Sequence, residues 1–189
     1  MKIVIIGSEG NIGRRLKSAF PDSVGIDIKP GADIRANLEF IDYEDRDVRR
    51  AFDVADTVIH LATSGDPTAS ADIHWQDVEN AARLFSNCVN RGITRLVVAS
   101  SDLAAPKSED ELTTFSHCKR VLEIMTAMFD HEEGCCGRPV RIGWVPADKS
   151  EVKTAAPDLR VRYWSDKRLV AAFRRGLGLP RDTAPEEKE

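Results

Sequence analysis

Short, continuous runs of valine, isoleucine and leucine alternate along this chain with longer segments in which apolar residues recur every three or four positions. The short runs are typical of strands buried on both faces of a parallel sheet, and the longer pattern is typical of amphipathic helices. The predicted strands are residues 2–6, 24–28, 32–35, 57–61, 96–99 and 140–145. The helical positions form three sets: Ile12, Leu16, Ala19 and Phe20; Val78, Ala81, Leu84, Phe85 and Cys88; and Leu112, Phe115, Leu122, Met125 and Phe129.

This alternation of strands and helices predicts an α/β fold, a single Rossmann-type doubly wound parallel sheet with helices on both faces. In such a sheet, ligands bind at the carboxyl ends of the strands. We expect one domain over residues 1–179, in which residues 145–179 form a small C-terminal extension on the substrate side. Residues 180–189 are charged, and we expect a disordered tail there.

Charge and cysteine content narrow the class of protein. The 27 basic and 31 acidic residues give a net charge of −4 without a basic stripe, so nucleic acid is not an expected partner. The N-terminus is a predicted strand and no apolar run is long enough to cross a membrane, which favours a cytoplasmic protein. The cysteines, Cys88, Cys118, Cys135 and Cys136, lack metal-binding spacing, so we expect reduced thiols and no metal site.

The first predicted strand runs directly into a glycine-rich turn, Gly7-Ser8-Glu9-Gly10-Asn11-Ile12-Gly13. Gly7 permits a sharp turn, Gly10 lets the backbone approach a pyrophosphate, and Gly13 lets the following helix pack close to the strand. The helix N-terminus supplies N–H groups for the phosphates. The turn therefore predicts a dinucleotide-binding site.

Asp27 closes the second predicted strand, 20 residues after Gly7. A carboxylate at this distance can accept the hydroxyls of an adenosine ribose and repels a 2′-phosphate, so NAD is favoured over NADP. Three basic residues lie nearby in sequence and could favour the phosphorylated cofactor instead: Arg14, Arg15 and Lys29.

Three stretches together resemble a known family. The glycine turn, Val58-Ile59-His60-Leu61-Ala62 and Val97-Val98-Ala99-Ser100-Ser101 are similar to the extended short-chain dehydrogenase/reductases, also called the NAD-dependent epimerase/dehydratase family. Arg141-Ile142-Gly143-Trp144 and residues 163–169 resemble the uronate dehydrogenases within it. The resemblance implies an oxidoreductase or epimerase that uses NAD and a sugar-like or uronate-like substrate; a homo-oligomer is possible.

The resemblance also implies positions for the cofactor. The glycine turn and the Asp27-Ile28 pair would bind its pyrophosphate and adenosine ribose. Asn37-Leu38 would contact the adenine, with Asp33-Ile34 as the competing assignment. Leu61, Ala62 and Thr63 would follow the phosphates and ribose, and Ala99 and Lys119 would lie at the nicotinamide ribose.

The catalytic positions depart from the family pattern. Members use a Tyr-x-x-x-Lys pair, in which lysine lowers the tyrosine pKa and tyrosine exchanges a proton with substrate, together with a serine that steadies the oxyanion. Here Ser101 and Lys119 are present, but Phe115 stands at the tyrosine position, on a helix expected to begin near Glu109. Asp77 stands where members carry a helix asparagine.

Several other residues are candidates for the missing chemistry. Asp102 could act as a general acid or could cap the next turn, and Tyr163 lies in the expected substrate-side extension. His117 should point away from Phe115 on a helix, and His60 is interpreted as a core or edge histidine. Four arginines could clamp a carboxylate or remain solvated: Arg141, Arg160, Arg162 and Arg168.

Three functions stay open at this point. The first is an NAD-dependent oxidoreductase or epimerase with an altered proton donor, which we favour slightly. The second is a catalytically silent dinucleotide-binding protein that serves as a sensor or an interaction partner. The third is a non-redox lyase that uses Asp102 or Asp77 as its acid.

Overall fold

The sheet is built around the first strand. In the computed structural model, which describes residues 1–105 and 112–180, six parallel strands form one sheet in the order β3-β2-β1-β4-β5-β6. The strands are β1 (Ile3–Ile6), β2 (Val24–Asp27), β3 (Ile34–Arg35), β4 (Thr57–His60), β5 (Arg95–Ser101) and β6 (Cys136–Ile142). The chain order reverses between β1 and β4, and a crevice opens at the carboxyl ends of two such strands. The predicted Rossmann-type fold is confirmed.

Helices cover both faces of this sheet. Within the described ranges they are α1 (Asn11–Ala19), α2 (Arg46–Val54), α3 (Ala71–Asn90), α4 (Thr114–Asp130), α5 (Glu151–Thr154), α6 (Pro157–Val161) and α7 (Asp166–Gly176). Short 3-10 turns occur at Leu38–Phe40 and Asp102–Ala104. In this described part of the chain, no helix combines the length and the apolar character needed to span a membrane.

The core divides into two layers because side chains alternate along β1. Val4 and Ile6 pack on the face covered by α2, α3 and α4, while Ile3 and Ile5 pack on the face covered by α1 and α7. Large buried side chains anchor the helices on each face: Phe52, Leu84 and Leu122 on the first, and Leu16, Leu169 and Phe173 on the second. The sheet is therefore buried on both faces, as its continuous apolar runs indicated.

The last strand is shifted from its predicted position. It spans Cys136–Ile142, not residues 140–145, because Cys136 pairs with Arg95 while Gly143 and Trp144 leave the sheet. The predicted helical set beginning at Leu112 also starts too early, since α4 begins at Thr114. The expected helix start near Glu109 and the expected tail beyond Pro180 lie outside the described residues.

Polar contacts fasten the C-terminal segment to the first helix. The Asn11 side chain donates a 2.8 Å hydrogen bond to the Val145 carbonyl. Arg15 donates to the Asp166 carboxylate at 2.6 Å and to the Pro146 carbonyl at 2.8 Å. The segment after β6 is thereby held beside the glycine turn, at the carboxyl edge of the sheet.

Candidate active site

Gly7 and Gly13 are required by the shape of the turn. Gly7 adopts a φ of +87°, and an added Cβ would lie 2.8 Å from the amide nitrogen of Ala62. A Cβ on Gly13 would lie 2.1 Å from the Gly7 carbonyl oxygen. Since neither position has room for a side chain, α1 packs directly against the strand end, as the sequence predicted for Gly13.

Gly10 differs from these two glycines. An added Cβ there would meet only the Gly7 carbonyl oxygen, at 3.3 Å. Gly10 is the N-cap residue of α1 and lines the space in front of the turn. A side chain at this position would therefore enter that space, and the Gly7 carbonyl would have to shift by a few tenths of an ångström to admit it.

Two cavities of about 310 Å³ each lie along the carboxyl edge of the sheet. We call them the Asp27 cavity and the Lys119 cavity, each after a charged residue that lines it and not the other. Both are lined by the same four residues where they meet: Gly7, Gly10, Leu61 and Thr63. Together they form one groove that crosses the glycine turn.

Most sequence-predicted cofactor residues line this groove. Besides the shared four, the Asp27 cavity contains Asp27, Ile28, Asn37, Leu38 and Ala62. The Lys119 cavity contains Asn11, Ile12, Gly13, Ala99, Ser101, Phe115 and Lys119. Ser8 and Glu9 do not line either cavity, because Ser8 is buried against Gly25 and the Glu9 carboxylate lies beside Gly31. The turn brings its glycines to the groove and turns these two side chains away.

The Asp27 carboxylate is fixed by two backbone donors. The Glu9 amide donates to one carboxylate oxygen at 2.8 Å, and the Lys29 amide donates to the other at 2.9 Å. Each carboxylate oxygen can accept a further hydrogen bond. Asp27 is therefore a preoriented acceptor at the end of the groove.

The competing pair Asp33-Ile34 lies elsewhere. The Asp33 carboxylate accepts a 2.7 Å hydrogen bond from the Gly25 amide and forms a 2.6 Å ion pair with Lys17. It lines neither cavity of the groove. Asn37 does line it, and its side-chain oxygen accepts from the Glu39 amide at 3.1 Å, which fixes the loop that borders the Asp27 cavity.

Lys119 is a buried cation beside the groove, with only 4% of its surface exposed. Its ammonium donates a 2.6 Å hydrogen bond to the Thr63 hydroxyl and lies 5.1 Å from the centre of the Phe115 ring. Burial lowers the pKa of Lys119, and the nearby Cys118 and Asp77 oppose that decrease. Phe115 lies one helical turn before Lys119 and lines the same cavity.

Ser101 ends β5 at the inner wall of the Lys119 cavity. Its hydroxyl accepts a 3.2 Å hydrogen bond from the Leu103 amide and donates one of 3.2 Å to Asp102. The serine thus caps the 3-10 turn. In the described part of the chain, its hydroxyl makes these two hydrogen bonds and has one further lone pair that can accept.

Asp102 is tied to the C-terminal segment. Arg162 donates two hydrogen bonds to its carboxylate, of 2.7 and 2.6 Å, and the carboxylate does not line the groove. Burial alone would raise the pKa of Asp102, but the hydrogen bonds and charge of Arg162 bring it below its usual value. An ionised, paired carboxylate is a poor proton donor. The geometry therefore argues against Asp102 as a general acid.

The four arginines considered as a carboxylate clamp do not line the groove. Arg141 pairs with Glu123 at 2.8 and 2.7 Å, and Arg162 pairs with Asp102. Arg168 lies 4.5 Å from the Trp164 ring centre, and Arg160 is exposed. The expectation of a clamp is not supported, because two of these cations are already neutralised by the chain's own carboxylates.

One wall of the Lys119 cavity escaped the sequence predictions. It consists of Gly143, Trp144 and Val145, which directly follow β6. The Trp144 amide donates to the Arg162 carbonyl at 2.7 Å, and the Trp164 amide donates back to Trp144 at 2.8 Å. The two stretches that resembled uronate dehydrogenases thus meet at this wall. Because both stretches resemble the same enzymes, the sequence carried a signal that they lie together at one site.

The remaining candidates lie outside the groove. Tyr163 packs edge-on against Trp144, with ring centres 6.2 Å apart, and does not line either cavity. His117 is exposed, in agreement with the helical geometry. His60 is fully buried, and burial lowers its pKa to about 3, so its ring is neutral.

Comparison with known sequences agrees with this architecture. The sequence model of the NAD-dependent epimerase/dehydratase family matches residues 3–143. The chain therefore belongs to the NAD-dependent epimerase/dehydratase family. No curated protein sequence matches it significantly.

Solved structures share the fold at low identity. MoeE5 in complex with UDP-glucose and NAD has a TM-score of 0.64 and 22% identity, covering 77% of this chain and 55% of that one. A short-chain dehydrogenase/reductase superfamily protein from Agrobacterium tumefaciens with bound NAD has a TM-score of 0.63 and 21% identity. The match covers 94% of this chain and 59% of that one. A mutated uronate dehydrogenase has a TM-score of 0.62 and 20% identity, covering 76% and 59%. This chain thus spans little more than half the length of these proteins.

Proposed function

We propose that the groove binds NAD, with the adenosine half in the Asp27 cavity and the nicotinamide half in the Lys119 cavity. The observation that carries the proposal is the continuity of the two cavities across Gly7 and Gly10. Gly10 leaves space that a Cβ would fill, next to the N-terminus of α1. Such a helix end attracts phosphate through its free N–H groups and its dipole.

The described residues fit the parts of this cofactor. The preoriented Asp27 carboxylate would accept the adenosine ribose hydroxyls, which favours NAD over NADP. Asn37 and Leu38 would border the adenine. Lys119 would donate to the nicotinamide ribose from its position beside Thr63.

The reaction we propose is oxidation or epimerisation at a sugar-like hydroxyl. The family includes epimerases and dehydratases by its description, and similar folds include a uronate dehydrogenase and a protein solved with UDP-glucose. Bound NAD would supply hydride transfer. The Ser101 hydroxyl would turn from Asp102 to donate its one hydrogen bond to the developing oxyanion. The wall at Trp144 would exclude water from the reacting carbon.

The proton donor must differ from the family tyrosine, because Phe115 has no exchangeable proton. Among the described residues that line the Lys119 cavity, Lys119 is the ionisable side chain. Its lowered pKa brings the ammonium closer to the range in which it can exchange protons. We therefore assign the altered proton exchange to Lys119, acting directly or through the Thr63 hydroxyl.

A catalytically silent NAD-binding protein is the second candidate. The observation that favours it is the phenyl ring of Phe115, which lines the Lys119 cavity and stands where the family resemblance implies a tyrosine. The lyase alternative is weaker. Asp102 is neutralised by Arg162, and Asp77 lines the Asp27 cavity rather than the Lys119 cavity.

Binding and turnover separate these functions. Calorimetry with NAD⁺ and NADP⁺ tests the cofactor proposal, and equal or tighter binding of NADP⁺ would contradict the assigned preference. NADH formation with uronates and nucleotide sugars then tests the enzyme proposal. Tight NAD⁺ binding without any turnover across these substrates would favour the silent binder.

A further inference from the structure

Helices α3 and α4 bring together three buried side chains of different chemistry. His74 and Asp77 lie one turn apart on α3, and Cys118 faces them from α4. One ligand atom from each residue lies within 4.8 Å of the other two. The exposed fractions are 1% for His74, 9% for Asp77 and 4% for Cys118.

The imidazole of His74 is the unusual member of this cluster. Both of its ring nitrogens are buried and have no hydrogen-bond partner in the part of the chain that the structure describes. Nδ1 lies 3.9 Å from the Asp77 carboxylate, which is too far for a hydrogen bond. Buried polar groups without partners are rare and call for a specific explanation.

We propose that His74, Asp77 and Cys118 bind one divalent transition-metal ion of the zinc class. Imidazole nitrogen, carboxylate oxygen and thiolate sulfur are the donor types that such ions take in proteins. Three protein ligands leave a fourth position for water or another group, and a nitrogen of His74 then gains the partner that it lacks.

Small side-chain movements would complete the geometry. Zinc binds nitrogen and oxygen at about 2.0–2.2 Å and sulfur at about 2.3 Å, so tetrahedral ligand atoms lie closer together than 4.8 Å. The i, i+3 spacing of His74 and Asp77 already places both on one helix face. Binding would draw the three ligand atoms together, and the Asp77 carboxylate, which accepts a 2.8 Å hydrogen bond from the Ser64 amide, would use its second oxygen or exchange that bond for the metal.

The charges of the cluster suit a dication. When sulfur binds the metal, the Cys118 thiol releases its proton to solvent, and the thiolate and the Asp77 carboxylate together neutralise the two positive charges. The nearby ammonium of Lys119 opposes the metal, but its hydrogen bond to Thr63 holds it on the groove side of α4.

This site adjoins the proposed NAD groove, because Asp77 also lines the Asp27 cavity. The His74 ring packs edge-on against Phe115, with ring centres 5.5 Å apart, and Phe115 lines the Lys119 cavity. Metal binding does not require NAD to bind. The proposed metal site departs from the sequence-based expectation of no metal. No sequence pattern indicated it, because Cys118 is distant from His74 and Asp77 along the chain and the three residues form no metal-binding motif.

Cobalt substitution tests the site through absorption spectra. The full chain, carrying Cys135→Ser and Cys136→Ser to remove the half-buried adjacent thiols, is stripped with a chelator and titrated with Co²⁺. We expect saturation at one equivalent, with a sulfur-to-cobalt charge-transfer band in the near ultraviolet and the visible bands of four-coordinate cobalt. Zn²⁺ should abolish these bands by displacing Co²⁺.

Ligand variants sharpen the test. Cys118→Ser should abolish the charge-transfer band, while Cys88→Ala, at a buried cysteine outside the cluster, should keep it. Losing a residue that only supports a metal ligand typically weakens metal affinity by about 10–100-fold. His74→Gln removes a ligand itself, so it should weaken Co²⁺ binding by more than that. A folded chain without the band at one equivalent of Co²⁺, or a band that persists in Cys118→Ser, would overturn the proposal. The first result is obtained with His74, Asp77 and Cys118 all in place, so it does not depend on whether a variant at the cluster folds.

Discussion

The ammonium of Lys119 donates a 2.6 Å hydrogen bond to the hydroxyl of Thr63, and this contact joins helix α4 to the loop after β4. Thr63 lines both cavities of the groove, so the contact lies where the two cavities meet. Phe115, one helical turn earlier, carries no hydroxyl, and Lys119 is oriented toward the proposed nicotinamide half.

The first prediction concerns the affinity for cofactor. Lys119→Met should weaken NAD⁺ binding by about one to two decades, because a hydrogen bond from a charged donor contributes about 1.5–3 kcal/mol. Methionine retains the apolar stem, so the fold should persist. Calorimetry measures the affinity, with Lys153→Met at an exposed lysine as the control. An unchanged dissociation constant in Lys119→Met would remove this lysine from the binding site.

The second prediction concerns cofactor choice. Asp27→Asn should weaken NAD⁺ binding and relax the preference against NADP⁺, because an amide no longer repels a 2′-phosphate. Asp33→Asn is the matched control. It should lower stability through the loss of the Lys17 ion pair and leave NAD⁺ affinity unchanged, since Asp33 lies outside the groove. If Asp33→Asn weakened NAD⁺ binding and Asp27→Asn did not, Asp33 would be the residue that binds the adenosine.

The third prediction separates the roles of two glycines. Gly10→Ala should lower the melting temperature far less than Gly13→Ala and should weaken NAD⁺ binding about tenfold or more, because its Cβ enters the groove. Gly13→Ala should instead destabilise the protein by about 1–3 kcal/mol, since its Cβ collides with the Gly7 carbonyl. Thermal unfolding and calorimetry on both variants check this difference. Unaltered NAD⁺ affinity in Gly10→Ala would show that the phosphates bind elsewhere.

The fourth prediction concerns catalysis. Phe115→Tyr introduces a hydroxyl at a position that lines the Lys119 cavity. General acid–base groups typically contribute about 10²–10⁴-fold to a reaction rate. We expect a gain of that scale in the rate of NADH formation with any sugar or uronate that proves to be a substrate. The gain should disappear in Phe115→Tyr combined with Ser101→Ala. If Phe115→Tyr leaves rapid native turnover unaltered, the chain's own donor is sufficient.

The fifth prediction concerns acid stability. The folded pKa of Asp102 lies below its unfolded value of about 3.9, so its pairing with Arg162 stabilises the fold above that pH and is lost as the pH falls through the folded pKa. The side chain is 33% exposed, which limits the contribution to about 1 kcal/mol.

Asp102→Asn should therefore be less stable than the native chain at pH 7, and the difference should shrink below about pH 4. Denaturant unfolding at a series of pH values measures it. Asp22→Asn, at an exposed aspartate, provides the comparison. A difference that stays constant down to about pH 2 would show that Asp102 stabilises by other means than its charge.

Local sequence was sufficient for the elements that depend on local chemistry. The continuous apolar run at residues 3–6 is buried on both faces of the sheet. The tight strand-to-helix turn that follows leaves no room for a side chain at Gly7 or Gly13, so the glycines mark it in the sequence. Their order along the chain then predicted the Rossmann-type topology. The end of β6 was misplaced, because Gly143 and Trp144 leave the sheet for a partner some 20 residues later, around Tyr163.

The sequence by itself determined the strand–turn–helix at Gly7–Gly13, the acidic residue at the end of β2, and the absence of a hydroxyl at position 115, since each depends on residue type and short spacing. Only the tertiary structure decided which charges are free to act. Arg162 neutralises Asp102, and Glu123 neutralises Arg141, through pairs that join separate elements. It likewise placed Cys118 beside His74 and Asp77. Packing of helices far apart in the chain creates these contacts, and no local pattern encodes them.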